Sequence, residues 1–352
     1  MFFQLLNINK YMRTILIFIL IMLIFDSCKK DDKKTHTYQT TPFEITTPTG
    51  FPEMIIPADN LLTQEGVSLG EKLFNDPILS GDNTLSCAGC HLQSSAFSDP
   101  NQFSTGINNL QGVRNASAII NAGWHTKFNW DGSANSLEEQ AFEPVINPNE
   151  MNDTWDNVEI KLNTHSEYPQ LFKNAFNINY IDSIHVVKAL AQFERTLISA
   201  GNSRYDQYIR NEIQLNPSEL NGFAIFNTEK GDCFHCHGTD MFMDNLFHNN
   251  ALDNEPFIDN GLGDITGNIG DNGKFKTPTL RNIEFSAPYM HDGRFATLEE
   301  VVDHYSSGLQ QSTTVDPLMK KLHLGGLQLT NQEKEDLISF LKTLSDPEFV
   351  TE

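Results

Sequence analysis

The pattern Cys-x-x-Cys-His occurs twice in this chain, as Cys87-Ala88-Gly89-Cys90-His91 and as Cys233-Phe234-His235-Cys236-His237, and it restricts what the chain can become more than any other feature. Two thiols with two residues between them reach the two vinyl groups of one haem and form thioethers, while the adjoining imidazole turns onto the iron. Attachment and proximal ligation then come from a single helical turn. The expected cofactors are two covalently bound haem c groups, one on Cys87, Cys90 and His91, the other on Cys233, Cys236 and His237. A thioredoxin-like redox pair would explain one such motif but not a second. A zinc site would want its four cysteines clustered in sequence and would leave His91 and His237, in identical positions, without a purpose.

The fifth cysteine, Cys28, belongs to a different signal. Lys10 and Arg13 precede an apolar run from Ile15 to Phe25, too short to span a bilayer as a mature helix but the right length for the core of a signal peptide. The run ends in Phe25-Asp26-Ser27-Cys28, followed by Lys29-Lys30-Asp31-Asp32. This resembles a bacterial lipoprotein signal, with Asp26 departing from the usual small residue. Residues 1–27 are thus expected to be a signal peptide, and acyl chains on Cys28 would anchor the chain to a membrane surface. Ordinary secretion with a free Cys28 is the alternative. Residues 28–50, rich in Thr, Lys, Asp and Pro, read as a flexible tether. The basic-acidic run after Cys28 is similar to surface-export tags of some bacterial lipoproteins, so periplasm and cell surface both stay open. A formal net charge of -22 excludes a nucleic-acid partner, which needs a basic face. It suits a basic soluble partner, or solubility alone.

The remainder contains a degenerate repeat. Leu69-Gly70-Glu71-Lys72-Leu73-Phe74 precedes the first motif, and Asn221-Gly222-Phe223-Ala224-Ile225-Phe226 precedes the second. Each unit reads as helix, loop, haem site, with a glycine that permits close approach to something flat and bulky. Val186, Leu190, Phe193 and Leu197 recur at helical spacing and predict a helix from about Ser183 to Ser199. Capping boxes open further helices at Ser136 with Glu139, Thr297 with Glu300 and Thr330 with Glu333. Strand signals are nearly absent, and Asn/Gly/Pro-rich loops are long. The predicted fold is mainly α: two c-type cytochrome-like domains, 51–200 and 201–346, with long irregular loops.

Several ordered segments extend the pattern. They are Ala96-Phe97-Ser98-Asp99, Arg114-Asn115-Ala116-Ser117, Trp130-Asp131-Gly132, Leu137-Glu138-Glu139-Gln140-Ala141, Asn147-Pro148-Asn149-Glu150-Met151, Pro278-Thr279-Leu280-Arg281-Asn282 and Pro288-Tyr289-Met290-His291-Asp292-Gly293. With the two haem motifs, they make the chain from about Phe51 to Leu344 resemble the bacterial di-haem cytochrome c peroxidases together with their MauG branch. The resemblance implies that the N-terminal haem is the peroxidatic one and that Glu150 matches its catalytic carboxylate. A base must take a proton from peroxide and return it to the departing oxygen. Gln140 and Pro144 match pocket-lining positions, and Trp130 matches an aromatic residue lying between the two haems. Asn115, Ser286 and Pro288 match positions that hold a calcium ion through hard oxygen donors.

Two departures matter. The best-known members place a gating histidine in the loop after the first motif, and residues 93–112 here contain none. His125, the nearest alternative, reads as a surface or pocket-edge histidine. At the distal position of the second haem, typical peroxidases carry Met; counting from His291 gives Tyr305, as in MauG-like members, with Met290 and Met319 as competing ligands. Phenolate would lower the potential and a thioether would raise it. The stretch Gly261 to Gly267 offers a nucleotide-loop reading that fails because no strand precedes it and no helix follows.

The resemblance implies a peroxidase that reduces hydrogen peroxide with electrons from a small cytochrome c or copper protein. A MauG-like oxidase that modifies a partner protein is the second reading, and an electron-transfer dihaem cytochrome the third. Oligomeric state is left open, a homodimer included.

Overall fold

Side-chain caps decide where the main helices begin. The computed structural model describes residues 38–351; the expected signal peptide and Cys28 lie outside them. In chain order, the helices that build the sites are α1 (Gln64–Asn75), α2 (Cys87–Cys90), α3 (Leu137–Gln140), α4 (Ser183–Glu194), α5 (Pro217–Phe226), α6 (Phe234–His237), α7 (Leu298–Ser307) and α8 (Asn331–Lys342). Two-residue strands β1 (Phe247–His248) and β2 (Phe275–Lys276) pair antiparallel. Thr297 with Glu300 and Thr330 with Glu333 form full capping boxes at α7 and α8. Asn216 with Glu219 forms another at α5, which the sequence reading missed because it sought only Ser and Thr. At α3 only half the expected box forms: Ser136 accepts from Glu139 N–H, but the Glu139 carboxylate turns to the backbone N–H of Asn135.

Helix α4 stops at Glu194 rather than running to Ser199. The cause is a competing set of bonds: Asn121 N–H donates to Leu197 C=O, and Ser199 N–H donates to the Asn121 side chain. The chain leaves the helical path to satisfy them, while Leu197 stays buried.

The two glycines of the repeat do something other than expected. A Cβ on Gly70 would collide with the Ala189 carbonyl of α4, and one on Gly222 with the Asp336 carbonyl of α8. The flat partner is a helix backbone, not a haem. Each glycine lets an N-terminal helix cross a C-terminal one at backbone contact, α1 on α4 and α5 on α8. Phe193 and Phe340, one turn beyond each contact, close it from the side.

Two large apolar clusters follow from these crossings. One gathers Leu69, Leu73, Phe74, Phe97, Val186 and Leu190, and the other Ile225, Phe226, Phe242, Leu337, Phe340 and Leu341. Residues from 40 onward pack as one compact unit. Within the stretch read as a tether, Phe43 N–H donates to Leu62 C=O and Gln64 N–H to Thr41 C=O, so this part lies along the start of α1. No helix among the described residues is long and apolar enough to cross a membrane. Residues of the stretch Gly261 to Gly267, in which no helix was expected to follow the glycines, form a short helix, Leu262–Thr266.

Candidate functional site

Both haem motifs coil into a single turn, with His91 N–H donating to Cys87 C=O and His237 N–H donating to Cys233 C=O, each at 3.0 Å. The turn puts both cysteines and the imidazole on one side. Each ring is then fixed by a backbone carbonyl: His91 Nδ1 lies 2.9 Å from Phe97 O, and His237 Nδ1 lies 2.7 Å from Phe242 O. With Nδ1–H donating, Nε2 keeps its lone pair for a metal. Burial holds both imidazoles below their ordinary protonation range, against a weaker opposing pull from the same carbonyls. Neutral imidazole is the form that ligates.

The two carbonyls reach the rings because Phe97 and Phe242 adopt left-handed backbone conformations, φ 56° and 53°. A bulky residue there is an outlier, and such strain persists only where surroundings impose it. Here both phenyl rings are buried in the two clusters. This doubled device was invisible in the sequence, since nothing in Ala96-Phe97 or Met241-Phe242 advertises positive φ. The four cysteines are free thiols, and burial pushes Cys87 and Cys233 up, so they sit neutral beside the rings. Free paired thiols, an oriented imidazole and an apolar surround fit a covalently attached haem at each motif.

Near the first motif, Glu150 sits in the turn after a short helix, Glu143–Ile146, and is held by its neighbours. Asn147 Nδ2 donates to Glu150 Oε1 at 2.7 Å, and Ile107 N–H donates to Glu150 C=O at 3.0 Å. Gly81 N–H donates to Met151 C=O, and Gly106 sits so close that a Cβ would collide with the Asn149 carbonyl. The loop that carries a gating histidine in other family members is here a clamp on the Glu150 turn. Burial raises the Glu150 carboxyl above its ordinary range, the Glu143 carboxylate adds to it, and Asn147 opposes. Its charge in turn acts weakly on Cys87 and Cys90, so it lies in the neighbourhood of the first motif. Gln140 and Pro144 are half-buried on the same segment. Glu194, at the end of α4, was missed. Its buried carboxyl has an oxygen without a partner, acts on Cys87, and is pushed up to about 8 by burial, with Arg195 opposing.

A cavity surrounds the second motif. Cys233, Cys236 and His237 line it together with Tyr305, Met290 and Met319, so all three expected ligands reach it. Asn250 Nδ2 donates to Tyr305 OH at 3.1 Å and lies 3.6 Å from Met290 Sδ, which brings the phenol and that thioether to one point. Burial pushes the Tyr305 phenol up to about 12, so it is neutral until a cation draws its proton off. Trp130 and His125 also line this cavity. The Trp130 indole N–H donates to Asn115 C=O at 2.8 Å, and Asn115 N–H donates to His291 C=O at 2.7 Å. Asn115, Ser286 and Pro288 line the same cavity. The Asn115 amide nitrogen is committed to the carbonyls of Asn101 and Gln102, leaving its oxygen as the free end. Glu150 and Gln140 do not line this cavity, so Glu150 and the candidate ligand Tyr305 lie at separate places.

Comparison with known proteins agrees with these two centres. The profile of the family described as di-haem cytochrome c peroxidase matches residues 64–214. The methylamine utilization protein MauG of Methylorubrum extorquens is 37% identical over 298 residues, spanning 84% of this chain and 82% of that protein. The cytochrome-c peroxidase IdrP1 of a Pseudomonas species is 34% identical over 325 residues, spanning 84% of each chain. A crystal structure of a MauG-like protein associated with microbial copper homeostasis superposes with a TM-score of 0.82 at 35% identity, covering 88% of this chain and 97% of that one. With haem c as its cofactor, the chain belongs to the di-haem cytochrome c peroxidase (MauG) family.

Proposed function

We propose that this protein is a peroxidase that reduces hydrogen peroxide to water, with the first haem centre as the site of reduction and the second as the point of electron uptake. The observation that carries the reading is Glu150: a half-buried carboxyl near the first motif, raised above its ordinary range by burial and by Glu143, which suits a group that accepts and returns a proton. The haem supplies the electrons and the metal that holds the substrate. Glu150 takes a proton from the near oxygen of peroxide and delivers it to the departing one, so that water leaves rather than hydroxide. Gln140 and Pro144 shape the space beside it. His91, oriented by Phe97, supports the first haem, and His237, oriented by Phe242, supports the second. Trp130 stands at the second cavity as the relay between the centres. Electrons come from a small cytochrome c or copper protein.

Three finer assignments belong to the same reading. Asn115 through its side-chain oxygen, and Ser286 and Pro288 through their carbonyls, hold a calcium ion at the junction. Cys28 carries the lipid anchor of an exported, periplasmic or surface protein. The distal ligand of the second haem is Tyr305, Met290 or Met319, all of which line the second cavity.

The test is turnover of the purified protein with peroxide and a panel of reduced small cytochromes, in the parent and in Glu150→Gln. The substitution should slow peroxide cleavage about 10²- to 10⁴-fold, the usual loss on removing an acid–base group. An unchanged rate would remove Glu150 from the mechanism.

One observation favours a second reading, a MauG-like oxidase acting on a partner protein: the Tyr305 hydroxyl faces the second cavity beside Asn250. Phenolate ligation lowers the potential and makes reduction by ordinary cytochromes c unfavourable. The ferric spectrum of the parent and of Tyr305→Phe decides it. A sulfur-to-iron charge-transfer band unchanged by the substitution would assign Met290 or Met319 and restore the ordinary peroxidase; a band changed by it would assign Tyr305.

A further inference from the structure

Lys276, on β2, is an anomaly among the charged groups of the second cavity. It is only 6% exposed, yet its ammonium has a single polar neighbour, His125 Nδ1 at 3.4 Å. Burial alone depresses it, to about 8, and no carboxylate offsets that. Other ionic groups of the cavity are paired or reach solvent. His248 lies between Asp244 at 2.8 Å and Asp316 at 2.6 Å, and Lys320 at the rim pairs with Glu229. Lys321 is partly exposed and reaches solvent. Among the described residues Lys276 therefore lines the cavity as a buried cation without a counterion, an arrangement that is strongly unfavourable until one arrives.

His125 makes the same demand. An ammonium donates to Nδ1, so the ring proton resides on Nε2. That Nε2 is sealed from solvent and has no partner. Two side chains with unmet donors, one of them charged, thus line a cavity that also holds Cys233, Cys236 and His237. The backbone fixes where they point, because Lys276 N–H donates to Trp130 C=O at 2.8 Å and β2 pairs with β1.

We propose that Lys276 and His125 form an anion seat for a haem carboxylate, Lys276 as the charged partner and His125 Nε2–H as the second donor. The haem brings its own carboxylates into this cavity, and an Nζ–carboxylate pair is the charge-assisted bond that the buried ammonium lacks. Lys276 is a positioning residue: it fixes the haem edge beside Trp130 and keeps the carboxylate ionised, which holds the local charge constant as pH changes. This rests on covalent haem attachment and not on the peroxidase reading, so loss of peroxidase activity would not touch it.

The test compares holoprotein of the parent, Lys276→Met and Lys276→Arg, read as haem content and as the reduction potential of the second haem against pH. In the parent and in Lys276→Arg the potential should stay flat near neutral pH. In Lys276→Met the carboxylate loses its cation, takes up a proton near neutral pH, and the potential should fall as pH rises, with a limiting slope of ~59 mV per tenfold change in proton concentration for one electron. A flat profile in Lys276→Met, coincident with the parent and with both haems bound, would overturn the proposal. So would a parent potential that depends on chloride, which would assign the seat to a solution anion. Should Lys276→Met fail to hold haem, the parent alone decides: carbon-13 resonances of labelled haem carboxylates should show one that stays ionised down to about pH 5, well below neutral, and a seated carboxylate that titrates near neutrality refutes the pair.

Discussion

At Glu150 two influences push the same way and one pushes back. Burial raises its carboxyl and the Glu143 carboxylate raises it further, while the Asn147 amide stabilises the anion. Proton abstraction needs the anion, so the acid limb of the peroxide reaction follows this group and lies above the ordinary glutamate value of about 4.3. Glu143→Gln removes a like charge and should move that limb to lower pH, with little change in the plateau rate. A pH–rate profile of the two proteins checks the direction; a limb that stays put would mean that another group controls it. Little of this was legible in advance. Glu150 was found through the order of motifs around it, whereas the clamp on it, Gly81, Gly106 and Ile107, gave no sign because a close backbone approach leaves no pattern beyond the glycine itself. Phe97 and Phe242 were equally silent: phenylalanine in a left-handed conformation contradicts its own preference, and only tertiary packing enforces it. His91 and His237, by contrast, were fixed by spacing alone, since the chemistry of attachment tolerates no other.

The elements were easier to read than their contacts. Caps and apolar periodicity located α4, α7 and α8, because these signals are local; the end of α4 was misplaced by five residues because Asn121, far away in sequence, draws Leu197 and Ser199 out of the helix. The repeat was visible and its glycines were noticed, but what they approach depends on the partner helix. Alanine at either glycine tests the crossing. Substituting Gly by Ala inside a helix gains about 1 kcal/mol from propensity. Here the new methyl would meet a carbonyl of the facing helix at both Gly70 and Gly222, and overpacking of this kind costs about 1–3 kcal/mol, occasionally more. Collision should win, so Gly70→Ala and Gly222→Ala should each lower the unfolding midpoint. Alanine that raised it would show that α1 and α4, or α5 and α8, do not meet backbone to backbone.

On the scale of the whole molecule, the two centres differ in what they leave open. The second cavity offers three side chains for its distal face, Tyr305, Met290 and Met319. The first offers an acid–base carboxyl and no histidine from the following loop, because residues 93–112 contain none and Gly106 and Ile107 grip the Glu150 turn. In a gated enzyme that loop must move when the second centre takes up an electron, and the first centre is closed until it does. Here movement of the loop would break the Ile107 bond to Glu150 and displace the carboxyl proposed for acid–base work. The loop therefore serves the active arrangement instead of opposing it, and no redox change is needed to expose the first centre. The fully oxidised protein should bind cyanide, and react with peroxide, at once and without prior reduction. Stopped-flow mixing of oxidised and half-reduced samples with either ligand measures this directly: equal initial rates are expected, and a lag in the oxidised sample that pre-reduction abolishes would show that another residue blocks the first centre until an electron arrives.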